Sequence, residues 1–320
     1  MRYLIVANGD FLPTEIVKEA AIGRTIIALD GAAVPLMKRG IKPHYILGDL
    51  DSIQCQSLLG IEQLSISGSL PHQYAGKFGI TIVHCPDQAT TDLQKALNFA
   101  KEQGATYIDV VCACSNARID HNLFNVRLLK STDPLGCTVI LHSLLQSMCF
   151  VRDSTISLSG EVGDPCAVMA FPEGQFSSTG LVWNGVANAP FPLHFADSES
   201  VCNQMAGKQA EICVTGDALV IQPPHFSAQR RCSQWSALER AQKWLYEEAH
   251  TLVALSVGHV RQLYSISLRE TAADTITGVQ RKLKDGVRCL SHTKEQLLKE
   301  DAHEMALISL SKDQLQVCEI

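Results

Sequence analysis

The sequence predicts an α/β protein: an open, mostly parallel sheet with flanking helices, then an all-β, sandwich-like domain, then a C-terminal α+β extension. Three observations predict it. Over residues 1–144 short apolar runs alternate with helix-period segments. Over 145–224 the helical period fades, and short strand-like runs are separated by Gly, Asp, Pro and Ser. Over 225–320 charge density rises and amphipathic helical patterns return. The 320 residues suffice for two or three domains, and 46% apolar with 19% charged residues is globular usage.

Each element has its own signal. Runs at 3–7, 25–29, 45–47, 81–84, 107–112 and 138–141 are rich in Val, Ile and Tyr, as buried parallel strands are. The clearest helix opens after Thr90 or Thr91, carries Leu93, Ala96, Leu97 and Ala100 near a 3.6 period, and stops at Gly104. In the second region strands are expected at 149–152, 155–158, 166–171, 211–214 and 218–221, and Pro223-Pro224 ends the series. In the third, Ser236-Ala237-Leu238-Glu239 forms a capping box. It opens a helix with Trp235, Leu238, Ala241, Leu245, Ala249 and Leu252 on one side. A second helix opens near Thr271, and 305–310 with 315–320 reads as a closing hairpin. This extension reads as an appendage that packs on the body or widens a dimer, with a regulatory or partner-binding module as the alternative.

Composition narrows the function. A net charge of −6 leaves no general basic surface for a nucleic-acid backbone, so no nucleic-acid partner is expected. The apolar runs fall well short of the roughly 20 residues that a membrane helix needs, so no membrane partner is expected. The opening residues reach Asp10 too soon for a signal peptide and read as a first strand, which predicts a cytoplasmic protein. The 12 cysteines are scattered, and Cys112, Cys137, Cys149, Cys166 and Cys213 sit inside apolar runs. They read as buried, reduced thiols. Cys112-Ala113-Cys114 lacks a second pair at zinc spacing.

The chemistry lies in acids at strand ends. Asp10 follows the first strand, Asp30 the second, Asp49 and Asp51 the third, Asp87 and Asp92 the fourth, and Arg118, Asp120 and His121 the fifth. A parallel sheet gathers all of them at one edge, where such sheets bind ligands. Singly, Asp-x-Asp is a common turn pattern and Thr91-Asp92 a common helix cap. Together they are a charge problem, because two unit charges at 4 Å repel by about 4 kcal/mol at an effective dielectric near 20. Either protons are taken up or a divalent ion is bound, and an oxygen-only donor set favours Mg²⁺, which bridges phosphates. No G-x-x-x-x-G-K-[ST] run and no G-x-G-x-x-G after the first strand is present. Phosphate binding therefore falls to metal, to Arg118 and to amides near Asn8-Gly9.

Four blocks, in order, resemble the thiamin pyrophosphokinase family over roughly residues 1–222. They are Asp30-Gly31-Ala32 through Gly48-Asp49-Leu50-Asp51-Ser52; Pro86-Asp87-Gln88-Ala89-Thr90-Thr91-Asp92 through Leu97; Arg118-Ile119-Asp120-His121-Asn122-Leu123-Phe124-Asn125; and Ser178-Thr179-Gly180-Leu181-Val182-Trp183-Asn184. The resemblance implies transfer of a pyrophosphoryl group from ATP to the hydroxyl of thiamin, giving thiamin diphosphate and AMP. It implies an α/β catalytic domain over 1–144, a β-rich thiamin-binding domain over 145–224, and a homodimer with sites between subunits. By motif, Asp49, Asp51 and Asp92 hold Mg²⁺ and the ATP phosphates. Asp30, Gln88, Thr91, Arg118 and Asp120 complete the nucleotide and phosphate site, and Ser200 and Asn203 contact thiamin.

Departures from the family pattern are Asn116-Ala117 where a Gly-Gly pair is usual, Ala32 after Asp-Gly, Ala89 in the Asp-Gln-Asp position and Cys202 in the thiamin motif. Two other readings share these residues: a pyrophosphokinase for another alcohol such as a hydroxymethylpterin, and a non-catalytic thiamin-binding sensor.

Overall fold

The computed structural model describes residues 1–53, 71–115, 117–131, 136–197 and 199–233. The helices and hairpin expected from Trp235 onward lie outside the described residues, as does Asn116. The described residues fall within one compact unit, Met1–Ser236. None of the described helices is long and apolar enough to cross a membrane.

The first half is built from β1 (Arg2–Val6), α1 (Thr14–Ala21), β2 (Thr25–Leu29), a 3₁₀ turn (Asp30–Ala32), α2 (Ala33–Lys38), β3 (Tyr45–Gly48), β4 (His72–Ala75) and β5 (Thr81–His84). It continues with α3 (Asp92–Glu102), β6 (Tyr107–Val111), α4 (Ile119–Ser131) and β7 (Thr138–His142). The strands lie in the order β7-β6-β1-β2-β3-β5-β4. All neighbours are parallel except β4, which runs antiparallel to β5 at the edge. Strand order reverses about β1, whose two neighbours are β2 and β6. That is the topological switch point, where loops diverge and leave a crevice.

Alternation along each strand sends side chains to two cores. Leu4, Val6, Ile26 and Ala28 face α1 and α2, meeting Ile16, Val17, Ala20 and Leu36. Tyr3, Ile5, Ile27 and Leu29 face the other way, meeting Leu93, Ala96, Leu97 and Ala100 of α3 and Leu128 and Leu129 of α4. Strands covered on both faces need apolar residues at every position, which is why the sequence shows them as continuous runs. The Thr91 hydroxyl caps α3 by accepting from the Gln94 amide.

The sheet does not stop at the compositional change. After a turn at Ser143–Gln146, β8 (Ser147–Arg152) pairs antiparallel with β7. β9 (Thr155–Ser159), β10 (Pro165–Thr179), β11 (Phe191–His194), β12 (Ser200–Gln204) and β13 (Gln209–Gln222) extend it to 13 strands. β10 and β13 are long and pair along most of their length. At one end they are flanked by β8 and β12, at the other by β9 and β11. Phe176, Leu158, Leu193 and Ile212 from one end share a core with Val168, Cys149, Val151 and Val220 from the other.

Three strand readings are corrected here. The runs at 211–214 and 218–221 form one strand, because Gly216 lies directly opposite Gly174 and the chain passes through rather than turning. The run at 166–171 is only the first part of β10. Cys213 is exposed: it sits on the outer face of β13 between inward Ile212 and Val214, so period-two alternation overrides the apolar run.

A short α5 (Ser227–Ser233) follows Pro223-Pro224 and returns to the first half. The Glu19 carboxylate on α1 accepts from the Ser227 amide and hydroxyl and from the Ala228 amide at 2.8–2.9 Å. Phe226, Ala228 and Cys232 enter the α1–α2 core.

Candidate active site

A cleft of about 410 Å³ opens at the carboxyl edge of the parallel strands. Its walls come from the ends of β1 (Ala7, Asn8, Gly9), β2 (Leu29, Asp30) and β3 (Asp49, Ser52), from the approach to α3 (Gln88, Thr90, Thr91, Asp92, Lys95) and from the β6–α4 passage (Ala113, Ser115, Arg118, His121, Asn125). Of the strand-end groups, Asp30, Asp49, Asp92, Arg118 and His121 line it, whereas Asp10, Asp51, Asp87 and Asp120 are not among its described lining residues.

Asp30 is the most deeply set, only 3% exposed. Its Oδ2 accepts from the Ser52 amide at 3.2 Å, whereas its Oδ1 is buried with no partner among the described residues. Burial pushes its carboxyl up to about 7; the Ser52 amide opposes this, and the charges of Asp92, Asp49 and Asp51 reinforce it. One oxygen from each of Asp30, Asp49 and Asp51 lies within 4.8 Å of the others. The all-oxygen donor set and the unpartnered Asp30 oxygen fit a hard divalent cation.

Asp49 accepts from the Gln88 amide at 2.7 Å and from the Asp51 backbone at 3.3 Å. Burial works to raise its carboxyl, but these donors hold it below the usual range. Asp51 is exposed and takes the Ser52 hydroxyl at 2.8 Å. Asp92 stands across Gly48: a Cβ at that glycine would meet Asp92 Oδ2 at 3.2 Å and Asp30 Cβ at 3.0 Å. Its Oδ1 pairs with Lys95 at 2.9 Å, yet burial still raises its carboxyl. Asp92 is therefore near the cluster, while Asp30 takes its place in the tightest trio. Asp87 turns back on Ala89 and Thr90 as a turn acid.

Arg118 lines the cleft, and its guanidinium makes a two-pronged pair with Asp120 at 2.9 and 2.7 Å. The pair holds Asp120 well below the usual carboxylate range. Asp120 itself is exposed and does not line the cleft. The amides near Asn8-Gly9 are less open than expected: Gly9 donates to Cys112 O at 2.8 Å and Asp10 to Cys114 O at 2.9 Å, which zips the β1 and β6 loops together. Ser52, Lys95, Ser115 and Asn125 line the cleft without having been singled out from the sequence. Lys95 was legible as the i+3 partner of Asp92; Ser115 follows no motif.

Ser200 and Asn203 are buried on β12, apart from the cleft lining. The Asn203 amide donates to Trp183 O at 2.7 Å and Ser200 Oγ at 2.9 Å, and its oxygen accepts from the Trp183 and Gln204 amides. The pair thus clamps the backbone of Trp183, whose ring is 60% exposed.

Fold and cleft place the protein among α/β proteins whose ligand site opens at the switch point of a parallel sheet. Within that class, residues 18–141 match the family model described as thiamin pyrophosphokinase, catalytic domain. Among solved structures, the chain is similar to a thiamine pyrophosphokinase from Bacillus subtilis, at 19% identity and TM-score 0.58 over 71% of this chain and 100% of that one. A thiamin pyrophosphokinase from Geobacillus thermodenitrificans gives 18% and 0.57 over 71% and 100%. One from Candida albicans gives 16% and 0.53 over 70% and 89%. At these identities the likeness is one of fold. No curated protein matches the chain.

Proposed function

We propose that this chain is a thiamin pyrophosphokinase, transferring pyrophosphate from ATP to the hydroxyl of thiamin and releasing AMP. The observation that carries the proposal is the cleft itself: Asp30, Asp49 and Asp92 line it beside Arg118 and Lys95 within the family segment, Asp51 adjoins them, and one buried Asp30 oxygen has no partner among the described residues. Such an arrangement suits a polyphosphate held through a cation better than it suits any neutral ligand.

Asp30, Asp49 and Asp51 would hold Mg²⁺, with Asp92 beside them. When bound, the ion offsets phosphate charge. Gln88 orients Asp49 through its amide. Thr91 fixes the start of α3, and with it Asp92. Asp120 parks the Arg118 guanidinium at the cleft mouth, from which it turns to phosphate oxygens, where a planar fork is the best match. Reaction of this type needs positioning and charge stabilisation rather than a protein nucleophile.

Ser200 and Asn203 support thiamin binding by fixing Trp183, whose exposed ring is available to stack on an aromatic ligand. Among the described residues, every one that lines the cleft precedes the β8–β13 region. Homodimerisation would bring the Trp183 surface of one copy to the cleft of another. Exposed Val182, Trp183, Val186, Phe195 and Val201 are an apolar surface of the kind a dimer covers.

The test is chromatographic. With MgATP and thiamin, the chain yields AMP and thiamin diphosphate in equal amounts, and a hydroxymethylpterin in place of thiamin yields neither AMP nor a pyrophosphorylated pterin. ADP as product, or pterin-dependent AMP, contradicts the proposal.

A further inference from the structure

Arg118 and Ser115 stand on the passage from β6 into α4, and this passage carries Asn116-Ala117 before the arginine. The structure shows what grips it. Asn122, one turn into α4, uses both ends of its side-chain amide on a single residue. Its Oδ1 accepts from the Ser115 amide at 2.8 Å, and its Nδ2 donates to Ser115 O at 2.8 Å. One turn further, buried Asn125 donates from Nδ2 to Ala113 O at 2.8 Å. The Ser115 hydroxyl in turn accepts from the Ala117 amide at 3.2 Å and reaches toward Asp10. A carboxamide is the one side-chain group that mimics a peptide unit, offering donor and acceptor on the same edge. At Asn122 it substitutes for the β-ladder that ended at Val111.

We propose that Asn122 is a positioning residue for the nucleotide: it locks Ser115, and through that residue the approach to Arg118, so that both face the polyphosphate. The inference rests on the proposed pyrophosphokinase reading for its substrate. It does not make Asn122 a catalytic residue, because its amide is spent on Ser115.

The geometry dictates the variants. Asn122→Ala removes both hydrogen bonds. Asn122→Asp keeps the size and the acceptor but sets a carboxylate oxygen against Ser115 O, so it fails as well. Leu123→Ala, at an exposed neighbouring position of α4, serves as the control. Loss of this lock is read as roughly a tenfold weakening of nucleotide binding, about 1.4 kcal/mol.

Three readouts are taken on the full chain: KM for ATP against KM for thiamin, the dissociation constant of a non-hydrolysable ATP analogue with Mg²⁺, and protection of the Ser115 amide from hydrogen exchange. The expected result is an ATP KM and analogue dissociation constant about tenfold higher in both Asn122 variants. Thiamin KM stays unchanged, the thermal midpoint falls by no more than a few degrees, Leu123→Ala is native-like, and Ser115 protection is lost in Asn122→Ala. An unchanged ATP affinity overturns the inference, as does a fall in thermal midpoint that lowers all kinetic parameters together. Should native chain bind the analogue but release no thiamin-dependent AMP, the pyrophosphokinase reading falls while the clamp is still decided by the analogue. Absence of analogue binding to native chain overturns both.

Discussion

Asp30 and Asp51 belong to one carboxylate trio but live in opposite surroundings. Asp30 is buried and strained by its neighbours' charge, with one oxygen left without a partner among the described residues. Asp51 is exposed, and its contacts are to the adjacent Ser52 and to Asp49. Removing the charge of Asp51 therefore leaves the fold alone and acts on the ligand. Asp51→Asn is expected to lower thiamin-dependent turnover by at least about two orders of magnitude with an unchanged thermal midpoint. Near-native turnover at ordinary Mg²⁺ would remove Asp51 from the cation site. The sequence made these acids legible because each ends an apolar run. It did not reveal that Asp30 rather than Asp92 completes the closest trio, since that depends on how closely separate strand ends approach in space.

At the scale of elements, the site depends on how closely strand ends approach. β3 closes with Gly48, and the space a Cβ would need is held by Asp30 and Asp92. In Gly48→Ala the Asp30 Cβ or the Asp92 carboxylate must give by a few tenths of an ångström, and the φ of +157° adds backbone strain. Displacements of that order at a reacting centre cost about tenfold or more, so kcat/KM is expected to fall by at least that factor while the fold persists. Native kinetics in Gly48→Ala would show that the spacing of these carboxylates carries no function. A second element with a clear dependence is α5. Its N-terminal amides rest on one carboxylate, Glu19, and Glu19→Ala should cost about 0.5–2 kcal/mol of stability by chemical denaturation. No change in the unfolding midpoint would mean that α5 is not anchored there. The parallel strands and α3 were readable because burial on both faces leaves an unbroken apolar run. β4, β11 and α5 were not: β4 and β11 are short and largely exposed, and α5 is held by a distant glutamate that no local pattern announces.

For the molecule as a whole, a buried polar network ties the halves together. Asp109 in the middle of β6 is fully buried between Arg24, which leads into β2, and His142 at the end of β7. The other nitrogen of His142 meets Ser147 Oγ on β8 at 2.7 Å. Phe226 and His225, on the chain entering α5, cover His142 at ring distances of 4.6 and 5.3 Å. Burial pushes His142 below the usual histidine value although Asp109 opposes it, and burial together with His142 and Arg24 lowers His225 despite Asp109. The folded chain thus binds fewer protons here than the unfolded chain, whose histidines titrate near 6.5. Stability conferred by these groups is complete above that pH and is lost as pH falls through it. The Asp109 carboxyl, held below its ordinary value by His142 and Arg24 against the burial that would raise it, adds a further loss at lower pH. The unfolding midpoint is expected to drop between pH 7.5 and 5.5, and His225→Phe, which keeps a ring on Phe226, should make that drop shallower. A midpoint flat across this range would contradict the buried neutral pair. None of this network was visible in the sequence, because Asp109 reads as a single polar residue inside an apolar run.

We propose that the carboxylate cleft binds ATP through a divalent cation and passes pyrophosphate to thiamin. The most direct measurement is AMP release by the full chain from MgATP, with and without thiamin, and with EDTA. AMP that appears only with thiamin and vanishes with EDTA is the predicted result. AMP release indifferent to thiamin, or none under any of these conditions, would contradict it.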